Sequence, residues 1–234
     1  MEERTAKRII DSPPAVLKDC FKKASVAYCN LFRSNRTFTF NGRTYHYLYH
    51  PYNLTWRNER AVEVPIALGY MDAHRGQDIL EVGNVLSHYV VIDHDVLDKY
   101  EEAPGVTNVD VVEFDPRKKY ELIISVSTLE HVGWDETPRD PQKALAAIDN
   151  LVRLLAPAGE LVMTAPLGLN PEFDRLLETG ALPFEDIWAL RRVRGNYWEQ
   201  ERFEAILGAG YARNSFRADA IAVGRIAEGQ VREQ

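Results

Sequence analysis

Four short apolar runs, at 78–84, 120–126, 160–167 and 220–226, dominate the hydrophobic pattern of the chain. Runs this short, with apolar side chains on both faces, are typical of the buried strands of a parallel sheet. Between the second and third runs, residues 140–159 carry apolar side chains at helical spacing, and a Pro and a Gly end the pattern. Strand, helix and strand in this order predict a parallel crossover within an open sheet that has helices on both faces.

The N-terminal part of the chain has a different pattern. Residues 18–30 repeat apolar positions at helical spacing, and residues 36–50 alternate aromatic and polar positions around an Asn-Gly pair. Asn-Gly is the preferred sequence of a tight hairpin turn, so the second segment is predicted to be a two-stranded hairpin. Residues 53–71 follow as a predicted helix, with Thr55 as its N-cap and Pro65 as an interruption.

The hydrophobic pattern is weaker in three further segments. Residues 94–100 and 108–114 each have room for a short strand, which leaves space only for truncated crossovers before residue 120. Residues 197–211 are predicted to form the last helix before the final strand. We therefore expect an N-terminal extension over 1–72 that packs on a core over 73–234 and covers part of its site.

Length and charge exclude several classes of protein. The chain has 234 residues, 45% of them hydrophobic and 27% charged, which suits one large globular domain. Its net charge is −7, and the short basic clusters at 117–119 and 191–194 are interpreted as solvated surface. A phosphate backbone is usually bound by a basic face, so nucleic acid is disfavoured as a partner. The oligomeric state is left open, with a homodimer as one option.

The cysteines and the apolar runs bear on the compartment. Cys20 and Cys29 are the only two cysteines, too few for a disulfide framework, and no zinc-ligand spacing accompanies them. No apolar stretch approaches the roughly 18 residues of a membrane span, and the N-terminus has no apolar leader pattern. These features predict a cytoplasmic protein without a membrane segment.

Candidate chemistry follows the ends of the apolar runs. In an open parallel sheet, ligands bind beyond the carboxyl ends of the strands. Gly83 directly follows ILEV (79–82) in the first run, where the missing Cβ lets the backbone turn tightly beside a ligand. Glu81, just before it, is placed to accept hydrogen bonds either from loop amides or from an ammonium group of the ligand.

Three segments in order resemble a known family. DILEVGN (78–84) resembles the first motif of class I S-adenosylmethionine-dependent methyltransferases, YELIISVSTLEHV (120–132) resembles their fourth-strand motif, and LVRLLAPAGELVMTAP (151–166) resembles the motif that follows. The resemblance covers about residues 78–226. It implies a Rossmann-like three-layer αβα sandwich with a mostly parallel sheet, preceded here by the helix and hairpin extension.

The resemblance also implies a binding site for S-adenosylmethionine. An acid at the end of the second strand would accept both ribose hydroxyls, and Asp98 is chosen for this role with Asp93 as the alternative. Asp110 would meet the adenine amino group, and the two serines after the fourth strand would border the sulfonium. The residues expected to contact the cofactor are Glu81, Gly83, Asn84, Asp98, Asp110, Val111, Ser125 and Ser127.

The chain departs from the family pattern at the loop after the first strand. That loop normally carries two or three glycines, but here only Gly83 is present in the sequence GNVLSHY, over 83–89. Side chains therefore occupy positions where backbone usually approaches the cofactor. A catalytically degenerate module, used for binding or assembly, is the alternative to an enzyme.

His131 and Glu130 are the candidate catalytic residues. An imidazole with a near-neutral pKa is able to take a proton from a hydroxyl or amine acceptor, or it positions the segment instead. Glu130 is the other candidate base. We expect a small-molecule acceptor and O- or N-methylation in preference to C-methylation.

Aromatic and polar residues between 50 and 60 are typical of a pocket with apolar walls and a few polar groups. They could equally pack the N-terminal extension against the sheet. No metal is expected, because His46 and His50 on a strand would lie about 13 Å apart. The candidates for acceptor binding are Tyr52, Asn53, Trp56, Arg60 and Trp134.

Overall fold

The structure, a computed structural model, describes residues 15–212 and 217–227. The α-helices of these residues are α1 (Ala15–Phe32), α2 (Arg60–Ala73), α3 (Lys143–Arg153) and α4 (Pro171–Glu178). The strands are β1 (Thr37–Phe40), β2 (Arg43–His46), β3 (Ile79–Val82), β4 (Asp95–Leu97), β5 (Val106–Thr107), β6 (Tyr120–Val126), β7 (Leu155–Pro166), β8 (Asp186–Arg192), β9 (Trp198–Arg202), β10 (Tyr211–Ala212), β11 (Arg217–Ala218) and β12 (Ala220–Ala227).

Eight strands form the central sheet in the order β5-β4-β3-β6-β7-β12-β8-β9. The strands β5, β4, β3, β6 and β7 pair in parallel, whereas β12 is antiparallel to both of its neighbours and β9 is antiparallel to β8. The predicted mostly parallel, Rossmann-like sheet is confirmed. The inclusion of run 220–226 among the parallel strands is wrong, since a strand buried on both faces has the same pattern in either direction.

The sheet is the middle of three layers. On one face, Ala147, Ile148 and Leu151 of α3 pack with sheet residues such as Leu80, and α4 packs on the same side. On the other face, α2 packs through its buried Val62 and neighbouring apolar residues. Burial of this kind stabilises by roughly 1.5–3 kcal/mol for each large apolar side chain. The two helical layers leave the carboxyl ends of β3, β4 and β6 at one edge of the sheet.

The predicted first helix and the hairpin are both present. Asn41 and Gly42 both have positive φ, 47° and 73°, as a two-residue hairpin turn requires. Phe40 is buried edge-to-face against Trp188 of β8, with ring centroids 5.7 Å apart. The described part of the N-terminal segment therefore shares a core with the sheet.

The region around the predicted helix at 53–71 differs from the prediction. A 3-10 helix covers Tyr52–Arg57, and α2 starts only at Arg60. Thr55 is not a helix cap, because its hydroxyl donates to the Leu48 carbonyl at 2.7 Å. Pro65 lies inside α2, where its missing N–H would leave the Ala61 carbonyl unpaired, but the Leu48 N–H donates to that carbonyl at 3.0 Å.

The weaker predictions have mixed outcomes. The strand predicted at 94–100 is present as β4, but residues 108–114 form turns, and the short strand β5 lies before them. The predicted last helix at 197–211 is wrong: β9 and a 3-10 helix at Phe203–Ile206 occupy that segment. The segment forms a strand because its pairing with β8 outweighs the helical spacing of its apolar residues.

Several elements, among them β8, β11 and α4, were not predicted. The signal for α4 is present in the sequence, because Asn170 caps the helix by accepting from the N–H groups of Glu172 and Phe173, and Pro171 takes the first helical position. Within the described residues, no helix has both the length and the apolarity that a membrane crossing requires.

Candidate functional site

A cavity of about 330 Å³ opens at the carboxyl ends of β3, β4 and β6, and we call it the strand-end cavity. Its floor is apolar, from Val82, Leu97 and Val111, and its rim carries acids and one imidazole. The full lining consists of Val82, Gly83, Leu97, Asp98, Lys99, Tyr100, Val109, Asp110, Val111, Ser127, Thr128, His131, Val132, Asp135 and Glu136. An apolar cavity with a few convergent polar groups is the usual form of a small-molecule site.

Gly83 borders the cavity in a conformation that a side chain would not tolerate. Its φ is +89°, and a Cβ at this position would lie 2.1 Å from the Oγ1 atom of Thr128. Thr128 was not among the predicted site residues, although it follows Ser127 in the fourth-strand motif. Gly83 therefore provides both a left-handed turn and space for the loop after β6.

The loop after Gly83 does not need further glycines because it winds into a 3-10 helix at Leu86–His88. Leu86 is fully buried in the core beneath the loop, packed with residues of α2 and β6. None of Val85, Leu86 and His88 lines the strand-end cavity. The side chains that replace the usual glycines are turned away from the cavity and leave it open.

Glu81 supports this loop from below. It is fully buried, and its Oε1 atom accepts from the backbone N–H groups of Val85 and Leu86 at 2.8 Å and 2.7 Å. Its Oε2 atom lies 2.9 Å from Nε2 of His94. Of the two roles that the sequence left open, Glu81 fills the one toward loop amides, and it does not line the cavity.

Asp98 follows β4 directly and lines the cavity. Its carboxylate accepts from the N–H groups of Asn84, Tyr100 and Glu101 at 2.8–2.9 Å. A carboxylate has about four acceptor positions, so roughly one remains for a ligand. Asp93 is exposed in the preceding loop and does not line the cavity.

Asn84 and the two serines take different positions. Asn84 is buried and does not line the cavity, and its side chain donates to Glu101 at 2.8 Å. Ser125 is fully buried inside β6, also outside the lining, and its hydroxyl has no hydrogen-bond partner among the described residues. Ser127 lines the cavity at a φ of +44°, and its hydroxyl donates to Glu63 at 2.6 Å.

Asp110 lies at the cavity rim inside a cluster of ion pairs. Lys99 and Lys143 approach its Oδ2 atom at 2.8 Å and 2.6 Å, and both lysines also reach Glu136. Burial alone would raise the pKa of Asp110, but the hydrogen bonds from Lys143 and Lys99 outweigh it and lower the pKa to about 2. Asp110 is therefore a fixed anion that already has cationic partners. Its neighbour Val111 is buried in the cavity wall.

His131 lines the cavity and is held by a carboxylate. Its Nδ1 atom is 2.6 Å from Oδ2 of Asp135, which also lines the cavity. Its Nε2 atom is 3.7 Å from Oε1 of Glu130. The side chain of His131 is 42% exposed, so a molecule in the cavity can reach the imidazole.

Glu130 has the opposite environment. It is 1% exposed, and neither of its carboxylate oxygens has a hydrogen-bond partner elsewhere in the described part of the chain. Burial raises the pKa of Glu130 well above its ordinary value, its own backbone N–H lowers it, and the nearby Glu63 raises it further. A raised pKa keeps this carboxyl group neutral over a wider pH range than an exposed acid.

The residues predicted for acceptor binding are not gathered in one place. The ring of Tyr52 stacks on His88 at 4.1 Å between centroids, outside the cavity lining. Asn53 is exposed with a φ of +53°, and its carbonyl accepts from Asn58. Trp134 stacks under Arg139, whose guanidinium carbon is 4.0 Å from the ring centroid, and does not line the cavity either.

Arg60 and Trp56 lie on other surfaces. Arg60 is largely buried, where its Nη1 atom donates to Glu63 and to the Val126 carbonyl, both at 3.1 Å. Trp56 lines a separate pocket of about 520 Å³, which we call the arginine pocket. Its lining consists of Arg33, Arg36, Tyr49, Trp56, Arg57, Arg194, Gly195, Asn196, Tyr197 and Arg217.

Residues that the sequence analysis missed complete the rim of the strand-end cavity. Lys99 and Glu136 lie in loops after β4 and β6, and only their proximity in the chain to Asp98 and His131 could have indicated them. Among the described residues, no cluster of three or more His, Cys, Asp or Glu side chains has the arrangement of a metal site.

No family model matches this sequence, and no curated protein is similar to it. The structure is similar to solved methyltransferases at low identity. The N-methyltransferase NodS from Bradyrhizobium japonicum WM9, in complex with S-adenosyl-L-homocysteine, is 13% identical, with a TM-score of 0.45 over 91% of this chain and 99% of that chain. A 1,6-didemethyltoxoflavin-N1-methyltransferase from Burkholderia thailandensis is 14% identical, with a TM-score of 0.38 over 92% of both chains.

An S-adenosylmethionine-dependent methyltransferase from Clostridium acetobutylicum ATCC 824 is 12% identical, with a TM-score of 0.39 over 90% of this chain and 99% of that chain. Likenesses this weak assign no function, and the fold is established by the strand order itself. The family resemblance of the three sequence motifs is thus borne out at the level of the Rossmann-like fold.

Proposed function

We propose that the chain is an S-adenosylmethionine-dependent methyltransferase that acts on a small-molecule acceptor. The observation that carries this proposal is the strand-end cavity, with an apolar floor and with Gly83 and Asp98 at its rim. Ligands of open parallel sheets bind at this edge, where adjacent strands end. Residues of the first two motifs line the same cavity, Gly83 from the first and Ser127, Thr128 and His131 from the second.

The residues of the cavity suit both the ribose and the adenine ring of the cofactor. Asp98 keeps roughly one acceptor position for a ribose hydroxyl. Leu97 and Val111 supply an apolar surface for a flat ring. Gly83 brings bare backbone to the cavity, where a Cβ would also displace Thr128. Asp110 would meet the adenine amino group only by sharing its carboxylate with Lys99 and Lys143.

The other residues predicted to contact the cofactor differ in whether they line this cavity. Ser127 lines it and would border the sulfonium, whereas Glu81 and Asn84 would act through the loop they hold. Ser125, buried with a hydroxyl that has no partner in the described chain, would reach a ligand only if the loop after β6 moved.

His131 is proposed as the residue that takes a proton from the acceptor. When bound, the cofactor would supply an electrophilic methyl group. The contact of Nδ1 with Asp135 holds the imidazole in one orientation and places a carboxylate beside the positive charge that a transferred proton brings. A hydroxyl or amine acceptor gives up a proton on methylation, which is the reason to expect O- or N-methylation.

Glu130 is proposed as the alternative base to His131, a role that only the ionised form of its carboxyl group can fill. The 3.7 Å separation between Oε1 of Glu130 and Nε2 of His131 is too long for a hydrogen bond. Tyr52, Asn53, Arg60 and Trp134 do not line the cavity, so an acceptor role for them needs a change of loop conformation on binding.

The alternative is a non-catalytic module that keeps the fold for binding or assembly. Incubation with methyl-labelled S-adenosylmethionine and a small-molecule cell extract separates the two functions. The enzyme transfers label to an extract component, and His131→Ala lowers that transfer more than it lowers cofactor affinity. Binding of the cofactor without any transfer favours the module, and absence of cofactor binding at millimolar concentration rejects the methyltransferase.

A further inference from the structure

The arginine pocket gathers positive charge from four separate segments of an acidic protein. Five guanidinium groups face about 520 Å³ of space, and the described lining includes no Asp or Glu. The arginines come from the loop after α1, the 3-10 helix before α2, the turn between β8 and β9, and β11. They are Arg33, Arg36, Arg57, Arg194 and Arg217.

These arginines lack the carboxylate partners that other arginines of the chain have. Arg60 pairs with Glu63, and Arg225 pairs with Glu160 and Asp186. Among the described residues, none of the five pocket arginines forms a salt bridge. Like charges held around one space repel one another, and the repulsion is relieved when an anion binds between them.

The pocket arginines contribute, after burial, to the pKa of two neighbouring groups. Arg192 lies beneath the pocket, and burial lowers its pKa, Glu59 raises it, and the charge of Arg217 lowers it further, to about 10. The hydroxyl of Tyr49 in the pocket wall has a pKa of about 12, because burial raises it more than Arg36 and Arg33 lower it. Tyr49 therefore keeps its proton and remains a hydrogen-bond donor toward an anion.

The pocket is held in shape by its own hydrogen bonds. Asn196 donates to the carbonyls of Thr55 and Asn58 at 3.1 Å and 3.0 Å, which fastens the β8–β9 turn to the 3-10 helix. Arg192 donates to the Arg57 carbonyl at 3.1 Å. The guanidinium carbon of Arg36 lies over the Tyr197 ring, 4.6 Å from its centroid, which holds this side chain at the pocket wall.

We propose that the arginine pocket binds a small molecule that carries a diphosphate or several phosphate groups. The planar guanidinium fork matches phosphate oxygens two at a time. A single carboxylate neutralises one charge and leaves four arginines unpaired, so a multiply charged oxyanion fits the set better. Trp56 and Tyr49 provide aromatic surface for the uncharged part of such a molecule.

The pocket is distinct from the strand-end cavity. Arg192 ends β8, which runs in the same direction as β6, so both sites lie at the carboxyl edge of the sheet. β7 and β12 lie between β6 and β8, which places the two sites roughly 14 Å apart across the sheet at about 4.8 Å for each strand. The two linings share no residue, so anion binding at the pocket can be measured apart from methyl transfer.

Calorimetry with inorganic phosphate, pyrophosphate and tripolyphosphate tests the proposal without any cofactor. We expect affinity to rise with each added phosphate. The double variant Arg57→Glu with Arg194→Glu changes two exposed side chains and should weaken pyrophosphate binding at least tenfold. The matched control, Arg75→Glu with Arg175→Glu, changes the net charge equally at exposed positions elsewhere and should leave the affinity within about twofold.

A second pair of variants keeps the test valid if charge reversal prevents folding. Arg57→Lys with Arg194→Lys retains both charges but loses the bidentate fork, and it should weaken binding several-fold. Equal effects in the pocket and control double variants would overturn the proposal, as would no pyrophosphate binding at millimolar concentration. A short single-stranded RNA is the last ligand to test. If it binds more tightly than tripolyphosphate, and the same variants abolish its binding, the ligand of the pocket is RNA and not a small molecule.

Discussion

The strand-end cavity and the arginine pocket lie at the same edge of one sheet, yet they differ in charge and in origin. The cavity has an apolar floor and a rim in which Asp110 is paired with lysines. The arginine pocket has five guanidinium groups without carboxylate partners among the described residues. The first is suited to a largely neutral or zwitterionic ligand, and the second to a polyanion. One fold thus presents two binding environments that suit ligands of different charge.

The substitution with the largest expected effect on cofactor binding lies at the strand-end cavity. Gly83→Ala places a Cβ 2.1 Å from Thr128 Oγ1 at a φ of +89°, and we expect a loss of S-adenosylhomocysteine affinity of about a hundredfold or more. Gly76→Ala is the matched control, since φ is +82° there and nothing lies within 4 Å of the place that its Cβ would take. Calorimetry measures the affinity of both variants. Equal losses of affinity would show that backbone strain, and not the cavity, is responsible.

A carboxylate at the cavity rim gives the next largest effect. Asp98→Ala should weaken S-adenosylhomocysteine binding tenfold to a hundredfold, on the roughly 1.5–3 kcal/mol scale of a charge-assisted hydrogen bond. Asp93→Ala should leave the affinity unchanged, because Asp93 is exposed outside the lining. The reverse result in calorimetry, with Asp93 essential and Asp98 dispensable, would mean that the ribose lies elsewhere.

Salt distinguishes the two environments directly. Raising the salt from low to half-molar concentration should weaken pyrophosphate binding at the arginine pocket by about tenfold, since exposed charges are screened. Binding of zwitterionic S-adenosylhomocysteine should change by less than about twofold. Two titrations in the same buffers provide the comparison, and parallel salt responses would argue that both ligands use one site.

Glu130 gives the smallest effect, and it depends on pH. A folded-state pKa raised above the unfolded value means that the unfolded chain ionises first, so stability falls as pH rises above the unfolded pKa of about 4.3. Glu130→Gln removes this loss, and we expect it to stabilise the protein by about 1 kcal/mol at about pH 8 and to have little effect at about pH 4.

Thermal melting of wild type and Glu130→Gln across this pH range measures that difference. Glu121→Gln serves as a control, because this acid is only partly buried and accepts from the Asp78 N–H. A Glu130→Gln variant that is destabilised most at high pH would indicate an ionised carboxylate with a partner.

Contiguous motifs were sufficient to predict the cavity but not the arginine pocket. The four apolar runs mark buried strands, with Gly83 at the end of the first and His131 soon after the second, and Asp98 lies in the weaker strand segment at 94–100. The roles of Glu81 and Ser125 could not be separated from sequence, because whether a side chain faces a ligand or the loop beneath it is decided by burial. The direction of β12 was equally hidden, since its pattern is apolar on both faces.

The arginine pocket could not be predicted because its members are distant along the chain. Arg33 and Arg217 are separated by most of the sequence, and only the packing of the N-terminal segment against the β8–β9 turn brings them together. The linear basic cluster at 191–194 by itself indicates no more than solvated surface. Of its arginines, Arg194 lines the pocket and Arg192 supports it from beneath.

A crystal structure of the wild-type protein soaked with S-adenosylhomocysteine is the most direct test of the central claim. We predict density for the adenosyl group inside the strand-end cavity, with the ribose against Asp98 and the loop at Gly83 unchanged. Density for the nucleoside in the arginine pocket, or an empty cavity at millimolar ligand, would contradict the claim.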